Sequence, residues 1–262
     1  MQIMLYLKNN IIMSKKKFSK RPLKIFIPKI LDRVNSFFSK SDLIYLSSNY
    51  LYLDIPKSAS SFIKSTIINS SNLSISCGAE YPHSSVFKRP KPYENINRFK
   101  IYSFIRDPID RFCSVIREKF NISNDFVKTE WSPYSQLLKY KRYKLDNLEK
   151  MVLDFVKCPD LIIDKHLLPQ AYYLEKYYKS GKLFIYRTND IKKKLPELMS
   201  GPLIFPNKKI ALKTDKNLFN EDHLSKKSLL KLKEYYKKDY IFLEKISENG
   251  IQLWLIEKLS NN

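Results

Sequence analysis

Tyr50-Leu51-Tyr52-Leu53-Asp54-Ile55-Pro56-Lys57-Ser58-Ala59-Ser60-Ser61-Phe62 is the stretch that decides the fold. Its first six residues are mostly aromatic or branched, the composition of a strand. Pro56 ends that run. Residues 57–61 form a short loop, and Phe62, Ile63, Ile67 and Ile68 then follow helical spacing. A loop of small residues entering a helix offers backbone N–H groups and the positive end of the helix dipole. Lys57 and the hydroxyls of Ser58, Ser60 and Ser61 add a charge and donors, so phosphate is a fitting ligand. The plainer reading is a Ser-rich turn that caps a helix. The loop is not the nucleoside-triphosphate loop G-x-x-x-x-G-K-[ST], because both glycines are absent and the Lys comes first.

A second strand-to-helix passage follows. Phe99-Lys100-Ile101-Tyr102-Ser103-Phe104-Ile105 alternates like a strand. Asp107 is suited to cap a helix and Pro108 to its first position. Phe112, Val115, Ile116 and Phe120 mark one helical face, which turns positions 111, 114 and 118 toward the other. Arg106 and Ser114 can grip a second phosphate. The alternative is a structural ion pair of Arg106 with Asp107 or Asp110.

Around these passages the pattern predicts a basic N-terminal extension over 1–45 and one domain over 46–262. Residues 70–98 read as loop, 121–146 as irregular or weakly helical and 147–157 as helix. Leu183–Tyr186 reads as a third strand, with Pro196, Pro202 and Pro206 breaking the chain after it. A single long helix is expected from about Ser225, with Leu229, Leu232, Tyr236, Tyr240 and Leu243 along its apolar stripe. Strands alternating with helices predict a three-layer α/β domain with a mainly parallel sheet. Right-handed crossovers then place the loops Lys57–Ser61 and Arg106–Pro108 on one sheet edge, where open α/β sheets bind ligands.

The chain has 262 residues, 44% hydrophobic and 14% aromatic, which suits a single globular core. Its net charge of +22 fits lysines spread over a solvated surface, an anionic substrate or membrane surface, or nucleic acid. There is no zinc-ligand pattern or RNP-type aromatic strand, so a nucleic-acid module is disfavoured. Cys77, Cys113 and Cys158 are odd in number and widely spaced, which fits a reducing compartment. No apolar stretch reaches the length of a membrane span. The apolar residues of 1–13 precede Lys15, Lys16 and Lys17, the reverse of a signal peptide. A cytoplasmic protein is expected. Its basic N-terminus either packs on the domain or touches the inner membrane surface.

Together the two passages resemble the sulfotransferases that use 3′-phosphoadenosine 5′-phosphosulfate (PAPS). Pro56-Lys57-Ser58-Ala59-Ser60-Ser61 is similar to that family's P-K-x-x-[ST]-[ST] segment. Arg106-Asp107-Pro108-Ile109-Asp110-Arg111-Phe112-Cys113-Ser114 is similar to its R-D-P-x-x-R-x-x-S segment. Asp164-Lys165-His166-Leu167-Leu168-Pro169-Gln170 resembles the D-x-H-W-x-P-Q segment of the carbohydrate-modifying Golgi-type and bacterial branch, with Leu167 where Trp is usual. Phe184–Arg187 and Leu224–Phe242 resemble its closing elements. The likeness covers residues 50 to 245, about three quarters of the chain.

The resemblance implies the sulfotransferase variant of the P-loop α/β fold and in-line transfer of a sulfuryl group to a hydroxyl, without a metal or a covalent enzyme intermediate. Lys57 would meet the oxygen bridging sulfur and the 5′-phosphate. Ser58, Ala59, Ser60, Ser61 and Phe62 would donate to the 5′-phosphate, and Arg106 and Ser114 would bind the 3′-phosphate. The implied acceptor is a carbohydrate, acidic or lipid-linked given the excess of Lys. The hydroxyl needs a general base. His166 and His83 are the first candidates, with Glu80 and Glu118 as carboxylate alternatives. His223 reads as a surface residue, Arg111 and Arg187 as ion-paired braces, and Asn207–Lys213 as a loop over the nucleotide. Two other classes compete: a P-loop phosphotransferase, which would need ATP and magnesium, and a non-catalytic glycan- or polyanion-binding protein.

Overall fold

The computed structural model describes residues 40, 42–70, 87–91, 94–119, 121–122, 126–128, 142–144, 146–157, 160, 163–177, 182–199, 202–206, 219–246 and 251–252. A five-stranded sheet forms the centre. Its strands are β1 (Leu43–Tyr45), β2 (Tyr50–Leu53), β3 (Lys100–Ile105), β7 (Leu183–Arg187) and β8 (Ile251–Gln252), in that spatial order. The inner three run parallel, and β1 and β8 pair antiparallel at the two edges. β3 lies in the middle, with all but its first residue buried. That burial explains its nearly continuous apolar run.

The pleat sorts the strand residues into two cores. Leu51, Ile101 and Leu183 stand in register on one face, and Leu53, Ser103 and Ile185 continue it. This face packs against α2 (Pro108–Lys119), α3 (Glu149–Val156), α4 (Gln170–Leu174), α6 (Lys226–Tyr235) and α7 (Lys237–Lys245) through residues such as Phe112, Phe155, Leu174, Leu232 and Leu243. Ser103 is the polar member of the row, and its hydroxyl donates to the Leu53 carbonyl at 3.1 Å. The opposite face carries Tyr52, Tyr102, Phe104 and Tyr186, covered by Ile63 and Ile67 of α1 (Ser60–Ser70) and Ile191, Leu195 and Leu198 of α5 (Ile191–Leu198). Tyr102 stacks on Phe184 at 5.1 Å and on Tyr186 at 6.1 Å between ring centroids. The result is the expected three-layer α/β domain.

Four local expectations are corrected. Leu43–Tyr45, assigned to the basic extension, is strand β1 of the sheet. Leu43 and Ile44 are buried, so the apolar triplet belongs to the core. Within 121–146 the described residues form a small antiparallel sheet of β4 (Asn121–Ile122), β5 (Phe126–Lys128) and β6 (Arg142–Lys144). Strands of two or three residues are too short to show a period. Pro196 sits inside α5. It removes one backbone donor, on a turn whose neighbours Lys192, Lys193 and Glu197 are exposed, so water can serve the orphaned carbonyl. The long C-terminal helix is two helices. Tyr236 leaves helical geometry at φ −94° and ψ 17°, and the Asp239 N–H bonds back only three residues, to the Tyr236 carbonyl at 2.9 Å. Ser225 does cap α6, accepting from the Ser228 N–H at 3.1 Å.

Candidate active site

The carboxyl ends of β2 and β3 carry the two motifs. After β2 the chain turns so that the Ser58 N–H donates to the Ile55 carbonyl at 3.2 Å, and the Ile63 N–H donates to the Ala59 carbonyl at 3.0 Å as α1 begins. Lys57 and Ala59 have φ of 67° and 60°, in the left-handed region. Glycine is the usual residue there, and a residue with a side chain costs about 1 kcal/mol or more. Left-handed residues in such a turn direct backbone N–H groups inward, as anion-binding loops do. After β3, Asp107 caps α2 as expected: its carboxylate accepts from the Asp110 N–H at 2.8 Å.

A cavity of about 550 Å³ opens on this edge. Lys57, Ala59, Ser60, Ser61 and Phe62 line it from the first motif, and Arg106 and Ser114 from the second. Glu118, near the end of α2, lies beside them and pairs with the Lys57 ammonium. Arg106 pairs with Asp110 and reaches the Lys57 carbonyl at 3.4 Å. The structural ion pair and the cavity position therefore coexist in one side chain. His166 lines the same cavity from the segment before α4. Asp164, almost fully buried, accepts from the His166 backbone N–H at 2.8 Å and meets the ring Nδ1 at 2.6 Å. A carboxylate at Nδ1 selects the tautomer protonated there, which leaves the basic lone pair on Nε2.

Ser58 departs from its expected place. It is fully buried, its N–H is held by Ile55, and its hydroxyl donates to Gln170 at 2.7 Å, so neither group faces the cavity. Arg111 also differs. It is buried and braces by hydrogen bonds, not ion pairing: Nε to the Pro56 carbonyl at 2.9 Å and Nη1 to the Leu168 carbonyl at 2.7 Å. Both sides of α2 are covered here, so helical periodicity alone misplaced it. Arg187 likewise donates to a carbonyl, that of Leu243 at 2.6 Å. His223 is half-buried and caps a 3₁₀ turn with Asn220, whose N–H donates to its Nδ1 at 3.2 Å. Leu167 is buried in the core, a packing role for the position where Trp is usual. Glu80, His83 and Asn207–Lys213 lie outside the described residues.

Sequence patterns did not single out Asp54, Lys64, Thr188, Asn189 or Lys192, which complete the wall. Asp54 and Lys64 pair with each other. Thr188 and Asn189 directly follow β7, so the rule that ligands gather at carboxyl ends of parallel strands would have found them. Lys165, beside His166, also contributes.

No curated protein and no solved structure matches the chain. A family model described as "Sulfotransferase family" matches residues 46–244, which takes in both motifs, the His166 segment and α6. The match covers more than half of the chain, and with two phosphate-type loops converging on one cavity it places this protein in the sulfotransferase family.

Proposed function

We propose that the protein transfers a sulfuryl group from PAPS to a hydroxyl of a carbohydrate acceptor. The observation that carries this reading is the convergence of Lys57, Ser60, Ser61, Arg106 and Ser114 on one cavity that also receives His166. PAPS supplies the activated sulfuryl group. The loop of residues 59–62 offers N–H and hydroxyl donors suited to a 5′-phosphate at the start of α1. Arg106 and Ser114 provide a guanidinium fork and a hydroxyl suited to a 3′-phosphate. Lys57 exchanges Glu118 for the oxygen bridging sulfur and phosphorus. There it stabilises the charge that grows as the S–O bond to the nucleotide breaks. His166 Nε2 takes the proton of the acceptor hydroxyl as its oxygen bonds to sulfur. Asp164 holds the ring and stabilises the imidazolium that results.

The carbohydrate acceptor is supported by the likeness of the Asp164–Gln170 segment to the carbohydrate-modifying branch. The charge of +22 supports an acidic or lipid-linked glycan and contact with an anionic membrane surface, and three widely spaced cysteines support a cytoplasmic setting. Among the described residues no helix is long and apolar enough to cross a membrane. The test is incubation with PAPS and a panel of unsulfated acidic and neutral polysaccharides, reading adenosine 3′,5′-bisphosphate release and glycan mass. Glycan-dependent release with a sulfated product is expected. Phosphorylation of the same glycans from ATP and magnesium would replace this reading with a kinase.

A further inference from the structure

Gln170 begins α4 and is fully buried. Its amide uses its full hydrogen-bonding capacity. Oε1 accepts from the Ser58 hydroxyl at 2.7 Å and from the Arg106 N–H at 3.1 Å. Nε2 donates to the Arg106 carbonyl at 2.8 Å and to Asp239 Oδ2 at 3.4 Å. These partners also fix which end of the amide is oxygen, since the Arg106 N–H and carbonyl need opposite groups.

The amide does what a neighbouring strand would do. β3 ends at Ile105 and β2 at Leu53. Arg106 therefore lies one residue beyond the strand, yet both its backbone groups are met, as on one more rung of a ladder. The third partner, Ser58, sits between the two left-handed residues Lys57 and Ala59. One side chain thus ties the first phosphate-type loop to the start of the second. Gln170 is itself anchored from the far end of the chain. Asp239 of α7 accepts from the Gln170 N–H at 2.9 Å and the Ala171 N–H at 2.7 Å, capping α4 from outside. Asp239 is fully buried, and the break at Tyr236 starts the new helix that carries it.

We infer that Gln170 is a positioning residue for the donor nucleotide: its amide sets the distance and orientation between the Lys57 loop and Arg106, with Ser58 as its contact on the loop. The inference rests on the nucleotide reading above. A buried polar network is expensive unless fully satisfied, and an apolar side chain of similar size would fill the same space. Three of the four hydrogen bonds of the amide go to the two segments whose side chains line the cavity.

The test compares Ser58→Ala, Gln170→Met and the core control Leu232→Ala. Two quantities are read: calorimetric affinity for adenosine 3′,5′-bisphosphate, and amide hydrogen exchange of residues 56–62 without nucleotide. Ser58→Ala should weaken binding about tenfold, as for one lost buried hydrogen bond, and Gln170→Met about a hundredfold. Both should speed exchange in the loop. Leu232→Ala should lower the melting temperature while leaving affinity and loop exchange at wild-type values. Should Gln170→Met fail to fold, Ser58→Ala decides alone. Wild-type affinity and wild-type loop exchange in Ser58→Ala would overturn the inference, as would an affinity loss matched by Leu232→Ala. Absence of binding by the wild type would instead count against the nucleotide reading, and loop exchange would still decide whether Gln170 holds the loop.

Discussion

Asp164 Oδ1 meets both the backbone N–H of His166, at 2.8 Å, and its ring Nδ1, at 2.6 Å. One buried oxygen therefore fixes both the chain turn and the imidazole. A base held this way contributes about 10²–10⁴-fold to a proton-transfer step. His166→Ala should lower turnover within that range and leave bisphosphate affinity unchanged. Asp164→Asn, which keeps the shape but loses the charge, should fall between the two. Steady-state rates with saturating PAPS, beside calorimetry, measure both. Full turnover in His166→Ala would remove it from the proton-transfer role.

The Lys57–Glu118 pair makes a second prediction. An incoming anion must compete with Glu118 for the ammonium. Glu118 Oε2 is buried and both side chains are mostly covered, so the pair is screened less than a surface pair, which is worth about 1 kcal/mol. Glu118→Gln should tighten bisphosphate binding by about fivefold or more, as calorimetry would read. Weaker binding in that variant would mean that Glu118 orders the loop instead of competing with the ligand.

Arg111 predicts a stability effect. Its guanidinium holds the carbonyls of Pro56 and Leu168; burial raises the pKa of the Asp239 carboxyl, and the Ala171 and Gln170 N–H groups and then the Arg111 charge offset part of that rise. Arg111→Leu strands two carbonyls and leaves that carboxylate without its nearby cation. The expected loss is about 3 kcal/mol. Thermal melts should shift down by roughly 6–12 °C. An unchanged melt would show that the brace adds nothing.

Burial also sets the response to alkali. It pushes the Cys113 thiol from its ordinary 9.0 up to about 12, and Tyr102 from 10.0 to about 12. Tyr143, Tyr177, Tyr236 and Tyr240 are raised as well, in each case mainly by burial. In this range the unfolded chain releases protons that the folded chain keeps. The contribution of these groups is therefore complete below pH 9 and is lost as pH rises from about 9 toward 12, opposed only in part by Lys176, whose pKa burial lowers. Urea unfolding at pH 8, 9, 10 and 11 should show midpoints that fall steadily above 9, and a flat profile would contradict the burial of these groups.

Local chemistry made much of the site legible. Tyr50–Leu53 and Lys100–Ile105 are strands because their apolar runs are buried on both faces, and Asp107-Pro108 starts α2 as a cap and first-turn proline should. What local pattern could not show depends on distant partners. Arg111 reads as an ion-paired brace until the carbonyls of Pro56 and Leu168 are seen to be what it holds. Ser58 looks like a phosphate donor until Gln170, 112 residues away, takes its hydroxyl. The break at Tyr236 falls inside an uninterrupted apolar stripe. Its reason is tertiary: the Tyr236 hydroxyl bonds the Leu167 carbonyl at 2.8 Å, while Asp239 turns to cap α4.

The donor site is tested most directly by calorimetric titration of adenosine 3′,5′-bisphosphate, without metal, into the wild type and Arg106→Ala, with ATP–magnesium as the control. Binding by the wild type that the substitution weakens about a hundredfold is expected, with no comparable binding of ATP–magnesium. Folded wild-type protein that ignores the bisphosphate, or that prefers ATP–magnesium, would contradict the donor site.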